Sequence, residues 1–286
     1  MTTLYVNPTH GNDSASGNQS DPFQTITQAL TQAQPGTTIQ LTPGTYSPES
    51  GEAFPLFIPS GVRVLGNESN KGSNILIQGS GKFVSPSAAG QNITLLLADR
   101  AELHGVTVTN PETRGTGVWI ESTSPIVTNC TFTNCKREGI FVTGNANPTI
   151  VENVLVSNAA YGLAVAGTAS GDIQSNRFEN TGYGIGIQDH AAPVISNNGI
   201  YQNRSGIVIS EAAQPILRQN AVEQNSNGGV IVTRNATPDL GNDTDPGGNR
   251  FDQNGPFDLQ NASSATVNAV GNQLDPERVQ GKVYIG

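Results

Sequence analysis

From residue 117 onward the apolar positions recur in short alternating runs. Val118 and Ile120, Ile140 and Val142, Leu163 and Val165, Ile185 and Ile187, Ile207 and Ile209, and Val230 and Val232 each form an apolar-x-apolar pair directly after a glycine. Alternation with period two marks strands with one inward face. Each pair returns after 22 or 23 residues. A second apolar column reads Ile126, Ile150, Ile173, Ile195, Leu217 and Leu240, with separations of 24, 23, 22, 22 and 23 residues.

Other columns keep the same period. Asparagines recur at Asn129, Asn153, Asn176, Asn198 and Asn220, and again at Asn110, Asn134, Asn158, Asn180, Asn203, Asn225 and Asn254. Glycines recur at Gly117, Gly139, Gly162, Gly184, Gly206 and Gly229, and alanines at Ala146, Ala169, Ala191, Ala213 and Ala236. The strands are short, and no two-residue hairpin turn separates them, so they do not pair within a unit. They pair instead with the equivalent strand of the next unit, about 4.8 Å along an axis. Stacked asparagines then hydrogen-bond from coil to coil, and asparagine also accepts left-handed backbone angles. No helical run lies inside the unit, which excludes leucine-rich and ankyrin-type solenoids. The expected fold is all-β: a right-handed, single-stranded parallel β-helix of three sheets with coils of about 22–24 residues. Between the asparagine columns, Phe132, Val156, Phe178, Ile200 and Val222 align only with a one-residue shift.

An open solenoid end exposes core and unpaired edges, so a cap is expected. Residues 21–34 suit a short N-terminal capping α-helix. Ser20 or Asp21 is the N-cap, Pro22 the first helical residue, and Phe23, Ile26, Ala29, Leu30 and Ala33 one face. The chain reads as one domain over 1–286. Its expected parts are an N-terminal segment and cap (1–36), irregular first coils (37–110), regular coils (111–275) and a tail (276–286).

The N-terminal quarter carries Tyr5-Val6, Gly11-x-Asp13, Pro22-Phe23-x-Thr25-Ile26, Pro35-Gly36, Pro43-Gly44-x-Tyr46, Glu52-x-Phe54-Pro55-Leu56 and Gly61-Val62. In these motifs, roughly over residues 4–80, it resembles a bacterial family of β-helix proteins built around a domain of unknown function, within the pectin-lyase-like superfamily. The resemblance implies the same fold and brings no established activity with it. The superfamily includes polysaccharide lyases, glycoside hydrolases and pectin esterases, whose active sites lie on the outer face of one sheet.

Composition agrees with strands and turns: 13% of residues are charged, with 33 Gly and 17 Pro. Disorder is excluded because apolar residues recur at fixed spacing. The net charge of −9 and the absence of any Lys/Arg run argue against a nucleic-acid partner. No transmembrane span is expected. Residues 1–20 lack the basic and apolar regions of a signal peptide. Cys130 and Cys135 are expected as free, packed thiols, because an extended segment of that length is too long for an unstrained disulfide unless it bends.

Outward columns of ionisable residues are where the superfamily's chemistry would sit. One column reads Gly144, Gly167, Asp189, Glu211 and Arg234, with His190 beside Asp189. A catalytic reading gives these four side chains the roles of acid, base and charge stabiliser; a plain reading makes them a solvated turn. A second column reads Glu179, Tyr201, Glu223 and Asp252, near Arg177. It is either a polar strand face or a sugar-stacking surface. Trp119 lies between inward Val118 and Ile120, so it is expected to face out, as a sugar or lateral contact or beneath a covering loop. Asp243, Asp245 and Asn249 lie in a lengthened turn with oxygen ligands at calcium-like spacing, which makes calcium the candidate cofactor. The Lys136-Arg137-Glu138 turn is expected to face solvent. No Gly-x-Ser-x-Gly elbow, Cys/His pair or phosphate loop is present, and His10, His104 and His190 form no zinc motif.

Three functions follow as expectations. The first is an extracellular, periplasmic or surface-associated rod that binds polysaccharide or cell-envelope glycan, or serves as a structural module. The second is a polysaccharide lyase or glycoside hydrolase using the Asp189 column. The third is a pure spacer or assembly unit. An enzyme requires a groove walled by long loops, whereas the coils over 126–237 have almost no insertions.

Overall fold

Each coil lays down one strand on each of three parallel sheets and turns a corner after each strand. In the coil that begins at Thr149 the strands are Thr149–Val151, Val154–Val156 and Tyr161–Val165. The computed structural model describes residues 2–286. It winds right-handed through about 11 turns. Two sheets have nine strands and the third has eleven. Register between coils follows the repeat: Ile150 pairs with Ile173, Ile173 with Ile195, and Ile195 with Leu217. Inward residues of all three sheets form one continuous core from Leu4 to Ala269.

The corners explain the polar columns. Glu152, Ser157 and Gly167 turn the three corners of one coil with φ of 59°, 58° and 67°. An inward residue follows each of the first two. Asn153 and Asn158 are the inward residues here, and both are buried. Asn176 shows the pattern: its backbone N–H and side-chain amide both donate to Asn198 Oδ1, at 2.9 and 3.1 Å, and the amide also donates to the Ile150 carbonyl at 2.8 Å. The ladder therefore satisfies the polar groups that the corners would leave buried.

Several expected columns move by one residue. Val127, not Ile126, pairs with Ile150, and Ile126 is exposed. Asn129, Asn134 and Asn180 are the positive-φ corner residues, with φ of 53°, 54° and 52°. The ladder positions beside them belong to Cys130, Cys135 and Thr181, whose backbone N–H groups donate to Asn153, Asn158 and Asn203. Leu155, not Val156, pairs with Phe132 and Phe178, which supplies the missing shift. The glycine and alanine columns stand as expected. A Cβ at Gly162 would meet the Gly184 carbonyl oxygen at 2.8 Å, and Ala146, Ala169, Ala191, Ala213 and Ala236 are fully buried.

The helix is shorter than expected, Ile26–Gln32, with Thr25 rather than Ser20 or Asp21 as its N-cap. Phe23 is held in extended backbone by bonds to Tyr5 and Asn7, and the Asp13 carboxylate takes the N–H groups of Gln24 and Thr25. Helical geometry thus starts only at residue 26. Ile26 and Ala29 are buried against the first coils. The first rung also begins earlier, at Thr3–Val6, which pairs with Thr38–Leu41. At the other end the expected tail adds a rung, because Val279–Gly281 pairs with Leu259–Asn261.

Cys130 and Cys135 are free and buried. The Lys136-Arg137-Glu138 turn is not wholly solvent-facing: Glu138 is buried, accepts a bond from Thr116 Oγ1 at 2.6 Å and pairs with Arg137. Among the described residues no helix is long and apolar enough to cross a membrane.

Candidate functional site

The outer face of the second sheet brings together the column expected there. Glu179, Tyr201, Glu223 and Asp252 are register partners on successive strands. The parallel outward column one step earlier reads Arg177, Gly199, Ala221 and Arg250. Two of its members are small, and that shapes the face. The Tyr201 ring leans into the space a side chain at 199 would fill, since a Cβ there would meet ring carbon Cε2 at 2.3 Å. Arg250 reaches across to the Glu223 carboxylate, and Arg177 pairs with Glu179 at 3.0 Å. The ring is half-buried between the two ion pairs. Burial pushes the Tyr201 hydroxyl above the usual phenol range, and Glu223 adds to this against Arg250 and Arg177. Asp252 is exposed. An aromatic ring between donors and acceptors can stack on the apolar face of a pyranose while its hydroxyls are bonded at the rim.

The corner column is also assembled as expected. Gly144, Gly167, Asp189, Glu211 and Arg234 all hold positive φ, between 58° and 67°. Asp189, Glu211 and the exposed His190 border a shallow open depression with Gly167, Thr168, Ala212 and Asn235. The acids there already have partners. Asp189 Oδ2 accepts the Gly167 N–H at 2.8 Å, and Glu211 pairs with Arg234 at 2.9 Å. These bonds satisfy the corner backbone and neutralise the arginine.

Trp119 does not reach a ligand. It points out of the coil as expected but has no exposed surface. An antiparallel hairpin, Gly81–Ser85 with Ala89–Leu97, folds over it. The indole stacks on Phe141, with centroids 4.3 Å apart and planes at 9°, meets Phe83 at 6.3 Å and donates to Glu121 at 3.0 Å. Glu121 also accepts from Ser85 Oγ and the Ser87 N–H at the hairpin tip.

Asp243, Asp245 and Asn249 do not converge. Asn249 is fully buried in the ladder, with its amide donating to Leu217 and Asn272 and its oxygen accepting from Asn220. Asp245 pairs with Arg218 at 2.6 Å. Among the described residues no three His, Cys, Asp or Glu side chains are grouped as a metal site requires.

Two features escaped the sequence. Arg250 joins the Tyr201 face across the lengthened loop, where the repeat spacing breaks. On the first sheet, Glu102 receives Arg63 at 2.6 Å and faces one ring nitrogen of His104 at 3.0 Å, and Glu68 faces the other at 3.1 Å. Both ring nitrogens are occupied, so this network is closed to a ligand.

A family model described as a protein of unknown function, DUF1565, matches residues 9–215 and, as a second segment, 158–279. No curated protein matches the sequence. Pectate lyase Pel9A is similar at 16% identity, covering 96% of this chain and 79% of that one, with a TM-score of 0.63. An alginate lyase from Paenibacillus sp. is similar at 18% identity, over 90% and 95% of the two chains, with a TM-score of 0.59. The Dettilon tailspike protein is similar at 15% identity, over 99% and 68%, with a TM-score of 0.59. At these identities the likeness is one of fold.

Proposed function

The chain belongs to the DUF1565 family, and we propose that it binds an extended polysaccharide along the outer face of the second sheet. The fold is shared with proteins named for pectate and alginate, which supports a polysaccharide-related role by analogy alone. The observation that carries the reading is local: the Tyr201 ring lies over Gly199 between the Arg177–Glu179 and Arg250–Glu223 pairs. A sugar stacks on the ring, its hydroxyls donate to the carboxylates, and the guanidinium groups donate back. Rungs about 4.8 Å apart let neighbouring sugars of one chain meet successive coils. Such a rod would meet its polymer in the cell envelope or outside the cell.

The test is affinity electrophoresis of the full chain through gels containing soluble polysaccharides. Retardation by a polymer, lost in Tyr201→Ala and kept in Tyr201→Phe, supports the reading. A chain that no polymer retards, or whose retardation ignores residue 201, rejects it and leaves a structural rod.

A further inference from the structure

We infer that the glycan held on the Tyr201 face is uncharged and, in particular, is not a polyuronate. The inference rests on the glycan-binding reading and narrows its substrate class.

Arg177 is paired with Glu179 and Arg250 with Glu223, so the charge of each guanidinium is already balanced by an internal carboxylate. The same surface holds a third acid, Asp252, for which no ion pair is formed among the described residues. Two guanidinium groups thus stand against three carboxylates. Several other arginines of the rod are engaged in the same way. Arg218 is bound to Asp239 and Asp245, Arg234 to Glu211 and Arg63 to Glu102, and Arg204 lies over the Tyr183 ring at 4.6 Å. The chain as a whole carries a net charge of −9.

Recognition of a sugar carboxylate uses a guanidinium free to meet it side-on with two parallel bonds. Here a uronate would meet guanidinium groups whose charge is already balanced, and would lie beside the Glu179, Glu223 and Asp252 carboxylates. Like charges that close repel, and the net field of the chain opposes approach. A neutral sugar meets no such barrier. Its hydroxyls donate to Glu179 and Glu223 and accept from Arg177 and Arg250 without parting either pair. The face therefore discriminates against the class of polymer for which the similar pectate and alginate lyases are named, and it does so by repulsion as much as by fit.

The experiment measures binding of the full chain to neutral polymers (galactomannan, xyloglucan, mixed-linkage glucan) and to polygalacturonate and alginate. Each is run with calcium and with chelator, at low and high salt. The expected result is retention by a neutral polymer, weakened about tenfold or more in Tyr201→Ala and insensitive to salt, with no retention by either polyuronate. In the double variant Glu179→Gln, Glu223→Gln the two guanidinium groups are freed. That variant should gain polyuronate binding that fades as salt rises. Tyr201-dependent binding of a polyuronate by the unmodified chain, with or without calcium, overturns the substrate class while leaving the glycan site in place. Failure of the double variant to gain such binding also overturns the inference, because occupied arginines would not then be what excludes uronates. Absence of any Tyr201-dependent binding overturns the glycan-binding reading itself.

Discussion

The backbone N–H of Cys130 donates to the side-chain oxygen of Asn153 at 2.9 Å, so a thiol occupies the ladder position that asparagine holds at residues 153, 176, 198, 220, 249 and 272. Its sulfur lies 3.5 Å from the Leu103 carbonyl, where one coil later the Asn153 amide donates to Val127 at 2.9 Å. Cys130→Asn should supply that donor and extend the ladder, raising stability by about 1 kcal/mol. Asn176→Ala should do the reverse and cost on the order of 3 kcal/mol, because it strands buried partners on Asn153, Ile150 and Asn198. Urea midpoints check both, and a Cys130→Asn midpoint at or below that of the parent chain would contradict the first.

The glycine column limits how close the coils come. A methyl group at Gly162 would lie 2.8 Å from both the Gly184 carbonyl oxygen and Cδ1 of Phe178. The backbone cannot yield locally, because the neighbouring strands are locked in register. Gly162→Ala is expected to destabilise by about 1–3 kcal/mol. Gly36→Ala offers a steric contrast, since nothing lies within 4 Å of a Cβ there, although its φ of 89° strains any other residue. Thermal melts of the two variants separate crowding from backbone strain.

Trp119 is the only tryptophan, so its fluorescence reports on the covering hairpin. Emission should be that of a buried indole and resist acrylamide quenching. Added polysaccharide should leave it unchanged, since the residue is remote from the Tyr201 face. Trp119→Ala should cost about 3–5 kcal/mol by opening a cavity beneath the hairpin while leaving glycan retention intact. A glycan-dependent shift of the emission would place the ligand on the third sheet instead.

Acid should loosen the same hairpin. Burial pulls the Glu121 carboxyl upward, but bonds from Ser87, Trp119 and Ser85 outweigh it and hold the group below the ordinary carboxylate range. A carboxyl lowered by folding contributes fully above its unfolded value, and the contribution is lost as pH falls through the folded value. Asp239 behaves likewise, with burial outweighed by Arg218 and the Gly241 N–H. The melting temperature should therefore decline below about pH 5, with a shallower decline in Glu121→Gln. An equal slope in parent and variant would remove Glu121 from the account.

Much of the architecture was legible because strands of the winding repeat at near-constant length. Gly139, Gly162 and Gly184, or Ala169 and Ala191, could be superposed without knowing the fold. The one-residue errors at Asn129, Asn134 and Asn180 have a physical cause: asparagine suits both the positive-φ corner and the inward ladder position beside it, so identity alone does not say which it fills. Thr181 and the two cysteines hid the true ladder positions by replacing its usual residue. The Tyr201 column was legible because no insertion separates Glu179 from Glu223. Its charge balance was not, since the neighbouring column runs Arg177, Gly199, Ala221, Arg250, and its two small residues hide the pattern of charge. Nor was the cover over Trp119, which comes from residues 81–97, far back along the chain.

The break in the period at the lengthened loop reaches beyond the single turn where it occurs. The ladder steps from Asn198 to Asn220 over 22 residues and from Asn220 to Asn249 over 29, yet both contacts have the same geometry, with N–H to oxygen distances of 3.0 Å. The surplus is thrown outward and tethered by Asp245 to Arg218. Interior and exterior are thus decoupled in this fold: a corner can acquire an ornament while the stack beneath it does not register the addition. Duplication of one whole winding would add reach without asking any buried group for a new partner. The count of windings, more than any single side chain, then decides how long an outer face the rod presents.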